Sequence, residues 1–149
     1  MDEEVIGRFM VAVGAVIEHV PSGRVLLIKR ADAADFEAGV WEDVTGRVHQ
    51  FEEPEDALRR EIEEECGLTV EIVKPISVFH LYRGERTAEH ELIGIIFWCK
   101  TESDVVRLSA EHSDYRWVTP HEALEVVEHP GIRGDFEAFL REKAAIGQL

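Results

Sequence analysis

"GRVHQFEEPEDALRREIEEECGL", residues 46–68, places eight carboxylates in 23 positions. Pro54 suits the first turn of a helix and Gly67 suits its C-terminal stop. At about 100° per residue, Leu58, Ile62 and Cys66 share an arc of roughly 80°, the width of a core-facing stripe. Glu61, Glu64 and Glu65 share a second arc of roughly 100°, offset from the first. Glu61 and Glu65 stand one turn apart, so their carboxylates can converge on one point. Local helix energetics oppose this arrangement. Like charges at i,i+4 cost a few tenths of a kcal/mol per pair, and the macrodipole disfavours negative charge in the C-terminal half. No Lys stands four residues on from Glu61 or Glu64. The segment is therefore either a solvated acidic face or a place made for a cation. Three converging hard oxygen ligands suit Mg²⁺ or Mn²⁺.

The rest of the chain limits what such a helix can serve. Its 149 residues fit one domain, 1–149, long enough for a real core. Hydrophobic residues make up 45%, and no stretch approaches the roughly 20 apolar residues of a membrane span. "MDEEVIGRF" opens acidic, with no basic segment and apolar run of the signal-peptide type. Cys66 and Cys99 form neither a disulfide framework nor a zinc spacing. A cytoplasmic location with reduced thiols is the expectation. The formal net charge is −15, from 31 acidic and 16 basic residues. Such a balance argues against nucleic-acid polymers and anionic membranes as partners. It leaves room for a small anionic substrate if a cation mediates the contact.

Around the acidic helix the pattern is mixed. "RFMVAVGAVIEHV" and "GRVLLIKR" read as strands joined by a turn at Pro21-Ser22-Gly23, and "ADAADFEAG" as a loop. "VWEDV" is a short extended piece. "TVEIVKPISVFHLY" reads as two strands broken at Pro75, and "ELIGIIFWCK" as a central strand. After a short strand at "YRWV", Thr119 and Pro120 open a helix as N-cap and first residue. "GDFEAFLREKAAI" is a closing amphipathic helix. Strands outnumber helices without a regular βαβ rhythm, which predicts an α+β or α/β fold.

The spacing of Gly46, Glu52, Arg60, Glu61, Ile62, Glu64, Glu65, Gly67 and Leu68 resembles the signature of the Nudix hydrolases, G-x5-E-x7-R-E-U-x-E-E-x-G-U with U aliphatic. Chance agreement is roughly one in a hundred million per starting position. The resemblance implies an α/β/α sandwich around a mixed sheet. It further implies hydrolysis of a nucleoside diphosphate linked to another group, cut within the diphosphate. Glu61, Glu64 and Glu65 match the family's metal-binding carboxylates, and the Gly46 position supplies a backbone carbonyl near the metal. Glu52 and Arg60 match the pair that holds the preceding loop. The catalytic base is then a box glutamate, Glu61 or Glu64, or a residue of the later loop "SAEHSDYRWV". That loop offers Glu111 first, as base or further metal ligand, then His112 and Asp114. Modules of this family that lose catalysis and become nucleotide-binding regulators typically lose box glutamates, and all four are present here.

The entry to the box departs from the common P-G-G-x-x-E-x-G-E. Val44-Thr45 stand for Pro-Gly, His49 for Glu and Phe51 for Gly, so a bulky ring occupies a flexible position. "W-x-x-V-T-G" is similar to a subset that includes dihydroneopterin triphosphate pyrophosphatases. Arg47, Arg83 and Arg86 are candidates to reach phosphates. Phe36, Trp41, Phe79 and Tyr82 are candidates to stack on a base, against the ordinary role of strand aromatics as core. Pro75 comes too early for the ADP-ribose marker, and Tyr82 too early for the dinucleotide polyphosphate marker. Elimination favours a (deoxy)nucleoside triphosphate or pterin triphosphate, with ADP-ribose, nucleotide sugars and dinucleotide polyphosphates as alternatives. A homodimer is compatible with such a chain.

Overall fold

Apolar runs and turn residues lay out the sheet. β1 (Met10–His19) turns at Pro21–Gly23 into β2 (Arg24–Arg30). Gly23 takes the left-handed backbone, at φ 71°, that the tight turn requires. The two strands pair only near that turn, through Glu18–Val25 and His19–Arg24. Further along they diverge, and the segment Trp41–Arg47 enters the gap. Its first part, β3 (Trp41–Glu42), pairs with β2, whereas its second, β4 (Val44–Arg47), pairs with β1. The partner switch falls at Asp43. In a computed structural model of the chain, which describes residues 5–31 and 38–147, seven strands form one sheet with the order β3-β2-β1-β6-β5. β6 (Glu91–Thr101) is central and runs parallel to β1, β5 (Glu71–Tyr82) pairs outside it, and β7 (His112–Val118) pairs with β2. Phe36 lies outside the described residues.

Helices cover both faces, giving the expected α/β/α sandwich around a mixed sheet. α1 (Pro54–Cys66) lays Leu58, Ile62 and Cys66 on Val13, Ala15, Ile17, Leu26, Ile28 and Phe97. On the other face α2 (Pro120–Val126) and α3 (Pro130–Ala145) pack Ala123, Phe136 and Phe139 against Val16, Leu27, Ile96 and Trp98. Thr119 caps α2 as expected, its Oγ1 accepting the Glu122 N–H at 3.2 Å. α3 starts four residues earlier than "GDFEAFLREKAAI", because His129 Nδ1 accepts from Gly131 N and Ile132 N and caps it ahead of Pro130. No helix among the described residues is long and apolar enough to cross a membrane.

One expected boundary is absent. Pro75 does not divide its segment; β5 runs unbroken from Glu71 to Tyr82. The strand lies at the sheet's edge, where a missing N–H removes no ladder bond, and register shifts on both sides of Pro75 absorb the ring.

The loop into α1 carries a local strain. Phe51, the residue standing where the family signature has Gly, adopts φ 69° with its side chain 99% exposed. The left-handed region costs a non-glycine residue about 1–2 kcal/mol, and an exposed ring gives little back. Phe51→Gly removes that strain but adds unfolded-state entropy. The net expectation is stabilisation by about 0.5–1 kcal/mol, read as a rise of roughly 2–3 °C in thermal melting. An unchanged or lower Tm would mean that the ring contributes more than its exposure implies.

Candidate active site

Glu52, Glu61 and Glu64 share one cation of the chain itself, Arg60. Arg60 donates from Nε to Glu52 Oε2 at 2.8 Å and from Nη2 to Glu52 Oε1 at 3.0 Å. The same Nη2 reaches the Arg47 carbonyl at 2.9 Å, and Nη1 reaches Glu61 Oε1 at 2.8 Å and Glu64 Oε2 at 3.4 Å. The helix thus has an internal counter-charge, Arg60 to Glu64 at i,i+4, that partly offsets its repulsion. Glu52 also accepts the His49 N–H at 3.0 Å. The Arg60 guanidinium, with that bond, holds the Glu52 carboxyl down to about 2. Loop 46–53 is thereby tied to the helix by charge-assisted bonds at both of its ends.

The three box glutamates occupy different environments. Glu64 points outward, its side chain 58% exposed, while Glu61 is half-buried against β4. A Cβ placed on Gly46 would overlap the Glu61 carboxylate, so only glycine lets the β4 backbone approach this closely. Glu65 is 7% exposed, and its Oε2 has no hydrogen-bond partner among the described residues. Burial, and then the charges of Glu61, Glu42 and Glu111, push its carboxyl up to about 9, against a smaller opposing effect of Arg30. Glu65 is therefore a carboxyl whose charge the chain does not compensate.

The later loop comes to this point through the helix end. Arg107 N–H bonds to the Cys66 carbonyl at 2.9 Å and Ser109 N–H to the Glu65 carbonyl at 3.2 Å, occupying acceptors that a helix C-terminus leaves open. Glu111 follows, exposed and close enough to raise Glu65; its own carbonyl accepts from Ala31 N at 2.8 Å. His112 differs from its expected place in an exposed turn. It is buried, with Nε2 3.7 Å from Glu42 Oε2 and no hydrogen bond to either ring nitrogen among the described residues. Asp114 lies within β7, its Oδ1 accepting from Tyr115 N at 2.8 Å. Glu42 and Arg30, 3.6 Å apart, complete the wall around Glu65. Sequence reading passed over both; the signal available was a buried-strand alternation carrying charges.

The candidate substrate residues divide. Arg47 is exposed at the end of β4, next to Gly46, its Nη1 3.1 Å from Met10 Sδ. Trp41 is half-buried against the α3-side core, with the Arg116 guanidinium 4.5 Å above its ring. Tyr82 ends β5 and Arg83 follows it, roughly 14 Å across the sheet from β4 at three strand spacings. There Tyr82 stacks edge-on with His80 and lies under Arg86, and Arg83 N–H bonds to the His90 carbonyl. The structure does not bring these two together with the carboxylates. Phe79 is half-buried against the α3-side core, its ring lying over Gly94.

A divalent cation fits the donors present. Glu65 offers an orphaned buried oxygen, Glu61 closes on a glycine backbone, and all donors are hard oxygens. No three His, Cys, Asp or Glu side chains among the described residues already form a metal cage, because Arg60 draws Glu61 and Glu64 to itself.

The strained Glu65 makes a prediction of defined sign. The unfolded chain releases this proton near the ordinary 4.5, and the folded chain holds it to about 9. The stabilisation is thus complete below about pH 4.5 and is lost as pH rises through 9, at up to ~1.4 kcal/mol per pH unit. Melting of metal-free protein from pH 5 to 9 should show this decline, and Glu65→Gln should flatten it and melt higher at pH 8. Parallel curves for the two proteins would remove Glu65 from the account.

Comparison with known proteins agrees with this geometry. The NUDIX domain family model matches residues 8–139. The CTP pyrophosphohydrolase of Escherichia coli K12 is 29% identical over 144 residues, 93% of this chain and 96% of that protein. The nucleoside triphosphatase NudI of E. coli is 35% identical over 109 residues, 68% of this chain and 77% of that protein. A crystal structure of a MutT protein from Methanosarcina mazei Go1 superposes with a TM-score of 0.75 at 28% identity, covering 94% of this chain and 99% of the other. The chain spans 34% and 60% of the length of two further relatives, each 33% identical to it. With the family model covering 132 residues of the chain and the box glutamates arrayed as described, the chain belongs to the Nudix hydrolase family.

Proposed function

We propose that the chain is a Mg²⁺- or Mn²⁺-dependent pyrophosphohydrolase whose substrate is a nucleoside triphosphate. The observation that carries this reading is the cluster of Glu61, Glu64 and uncompensated Glu65 against the Gly46 backbone. Glu61, Glu64, Glu65 and the Gly46 carbonyl would hold the cation. When bound it would neutralise phosphate oxygens and make a coordinated water more acidic. Such a cation also resolves how a chain of net charge −15 accepts a polyanion.

Each residue then has a definable part. Glu65, once matched by a cation, is held as carboxylate. Glu64 faces solvent and can take a proton from the attacking water; Glu111, on its exposed turn beside Glu65, is the alternative base. Glu52 and Arg60 position rather than react, since their hydrogen bonds join loop to helix. Arg47, exposed at the end of β4 beside Gly46, is placed to meet a phosphate, whereas Trp41 packs on the α3-side face of the sheet, away from α1, and is not assigned a contact. Tyr82 and Arg83 stand at the other edge of the sheet and are not assigned a contact. The nucleotide class follows the two E. coli relatives, whose names specify CTP and nucleoside triphosphates.

The test is a hydrolysis screen at mildly alkaline pH with Mg²⁺ and Mn²⁺. It covers the NTPs, dNTPs, ADP-ribose, nucleotide sugars, dinucleotide polyphosphates and dihydroneopterin triphosphate. A nucleoside triphosphate should be preferred and yield pyrophosphate, and Glu64→Gln should cost about 10²–10⁴-fold in kcat if it is the base. Preference for the pterin or a diphosphate ester would replace the substrate class. Silence across the panel from a folded protein that Mg²⁺ stabilises would overturn the catalytic reading.

A further inference from the structure

Asp43 stands where the Trp41–Arg47 segment leaves β2 and joins β1. Its side chain is 1% exposed, and apart from its own backbone N–H neither oxygen meets an N–H or hydroxyl donor among the described residues. What it meets is a second acid: Asp135, 8% exposed on the second turn of α3, lies in hydrogen-bonding contact with it. Two ionised carboxylates have no hydrogen to place between them, so the contact itself requires a proton.

The surroundings decide where that proton sits. Glu42, the preceding residue, adds negative charge beside Asp43, whereas His129 at the start of α3 faces Asp135 and favours its ionised form. Burial raises both carboxyls, and Asp43 the more, with Asp135 adding to it. Asp43 is therefore the donor and Asp135 the acceptor. An acid–carboxylate bond of this kind is short and strong in a water-poor interior.

Placement gives the bond a consequence. Asp43 is paired in neither ladder, Glu42 being set against β2 and Val44 against β1, which leaves the segment's path at this residue open to another restraint. The side-chain bond to α3 supplies one. Three residues further on, Gly46 must lie flush against Glu61. We propose that Asp43 and Asp135 share a single proton at neutral pH, and that their bond is a positioning device fastening α3 to the strand switch and setting the Gly46 backbone in place. Loss of the proton leaves two buried carboxylates in contact with Glu42 alongside, and their repulsion eases the segment off α3. This reading assumes neither a metal nor a substrate.

The experiment follows carboxyl ¹³C and amide resonances of the metal-free protein from pH 5 to 10. In the wild type, the Asp43 carboxyl should remain protonated at pH 7. The Gly46 amide is followed in Glu65→Gln, which removes the neighbouring carboxyl that titrates in the same range. It should shift with the midpoint of Asp43. Adding Asp43→Asn, which keeps a donor toward Asp135 but cannot ionise, should abolish that transition and leave the Gly46 resonance at its low-pH position. Asp43→Leu, which keeps bulk and removes the bond, should displace it at every pH. An Asp43 carboxyl already ionised at pH 7 would overturn the shared proton. A Gly46 amide that stays silent through the Asp43 transition would overturn the positioning role, leaving only a buried acid pair.

Discussion

The Arg60 guanidinium is the contact on which the site's geometry depends. One planar group bonds both oxygens of Glu52, the Arg47 carbonyl, Glu61 and Glu64. No other side chain type could do this. A lysine has three donors on a rotating point charge, whereas arginine presents five in a fixed fork. The fork spans three pieces of chain at once: the loop through Glu52, the end of β4 through Arg47, and the helix through Glu61 and Glu64. Gly46 is thereby held against α1 while the chain makes its detour through His49 and Phe51. The left-handed backbone at Phe51 is tolerated because the restraint on either side of it is strong.

Much of this was legible before any coordinates. The 3.6-residue period placed Leu58, Ile62 and Cys66 inside, and that is where they lie. Thr119 and Pro120 marked the start of α2, and Pro21-Ser22-Gly23 the hairpin turn. These features are local: period, cap and turn chemistry act within a few residues, so the sequence displays them directly. Arg60, matched in the sequence to the residue that pairs with Glu52 to hold the preceding loop, bonds Glu52 and Glu61.

What stayed hidden depends on strand order and on distance along the chain. Pro75 is a breaker in a central strand and harmless on an edge, and nothing near residue 75 says which strand is outermost. Glu42 and Arg30 reach Glu65 only because β2 and β1 diverge to admit β3. His112 reads as a polar turn residue until pairing with Arg30 on β2 carries it inside. Asp43 and Asp135 are 92 residues apart, and their contact depends on how α3 crosses the sheet. The helix arc also misled in one respect. It grouped Glu61, Glu64 and Glu65 as equals, whereas their exposures run from outward-facing to buried, because the arc straddles the line where helix meets sheet.

Two buried carboxyls, Asp43 and Glu65, illustrate why that line matters. Asp43 and Glu65 are both buried, and in both burial is the largest cause of a raised affinity for protons. Their neighbours differ in kind. Asp43, 1% exposed, faces a second buried carboxyl on α3, and a shared proton is the smallest counter-charge that can be enclosed there. Glu65 lies beside Glu64 and Glu111, both exposed, and its far oxygen is left without a partner. A charge-compensating species can therefore come and go at Glu65, as a proton at low pH or as a cation in exchange for it. The same physical cost, an acid in a water-poor interior, serves as a fixed fastening in one place. In the other it is an affinity held in reserve, and access to solvent is what separates them.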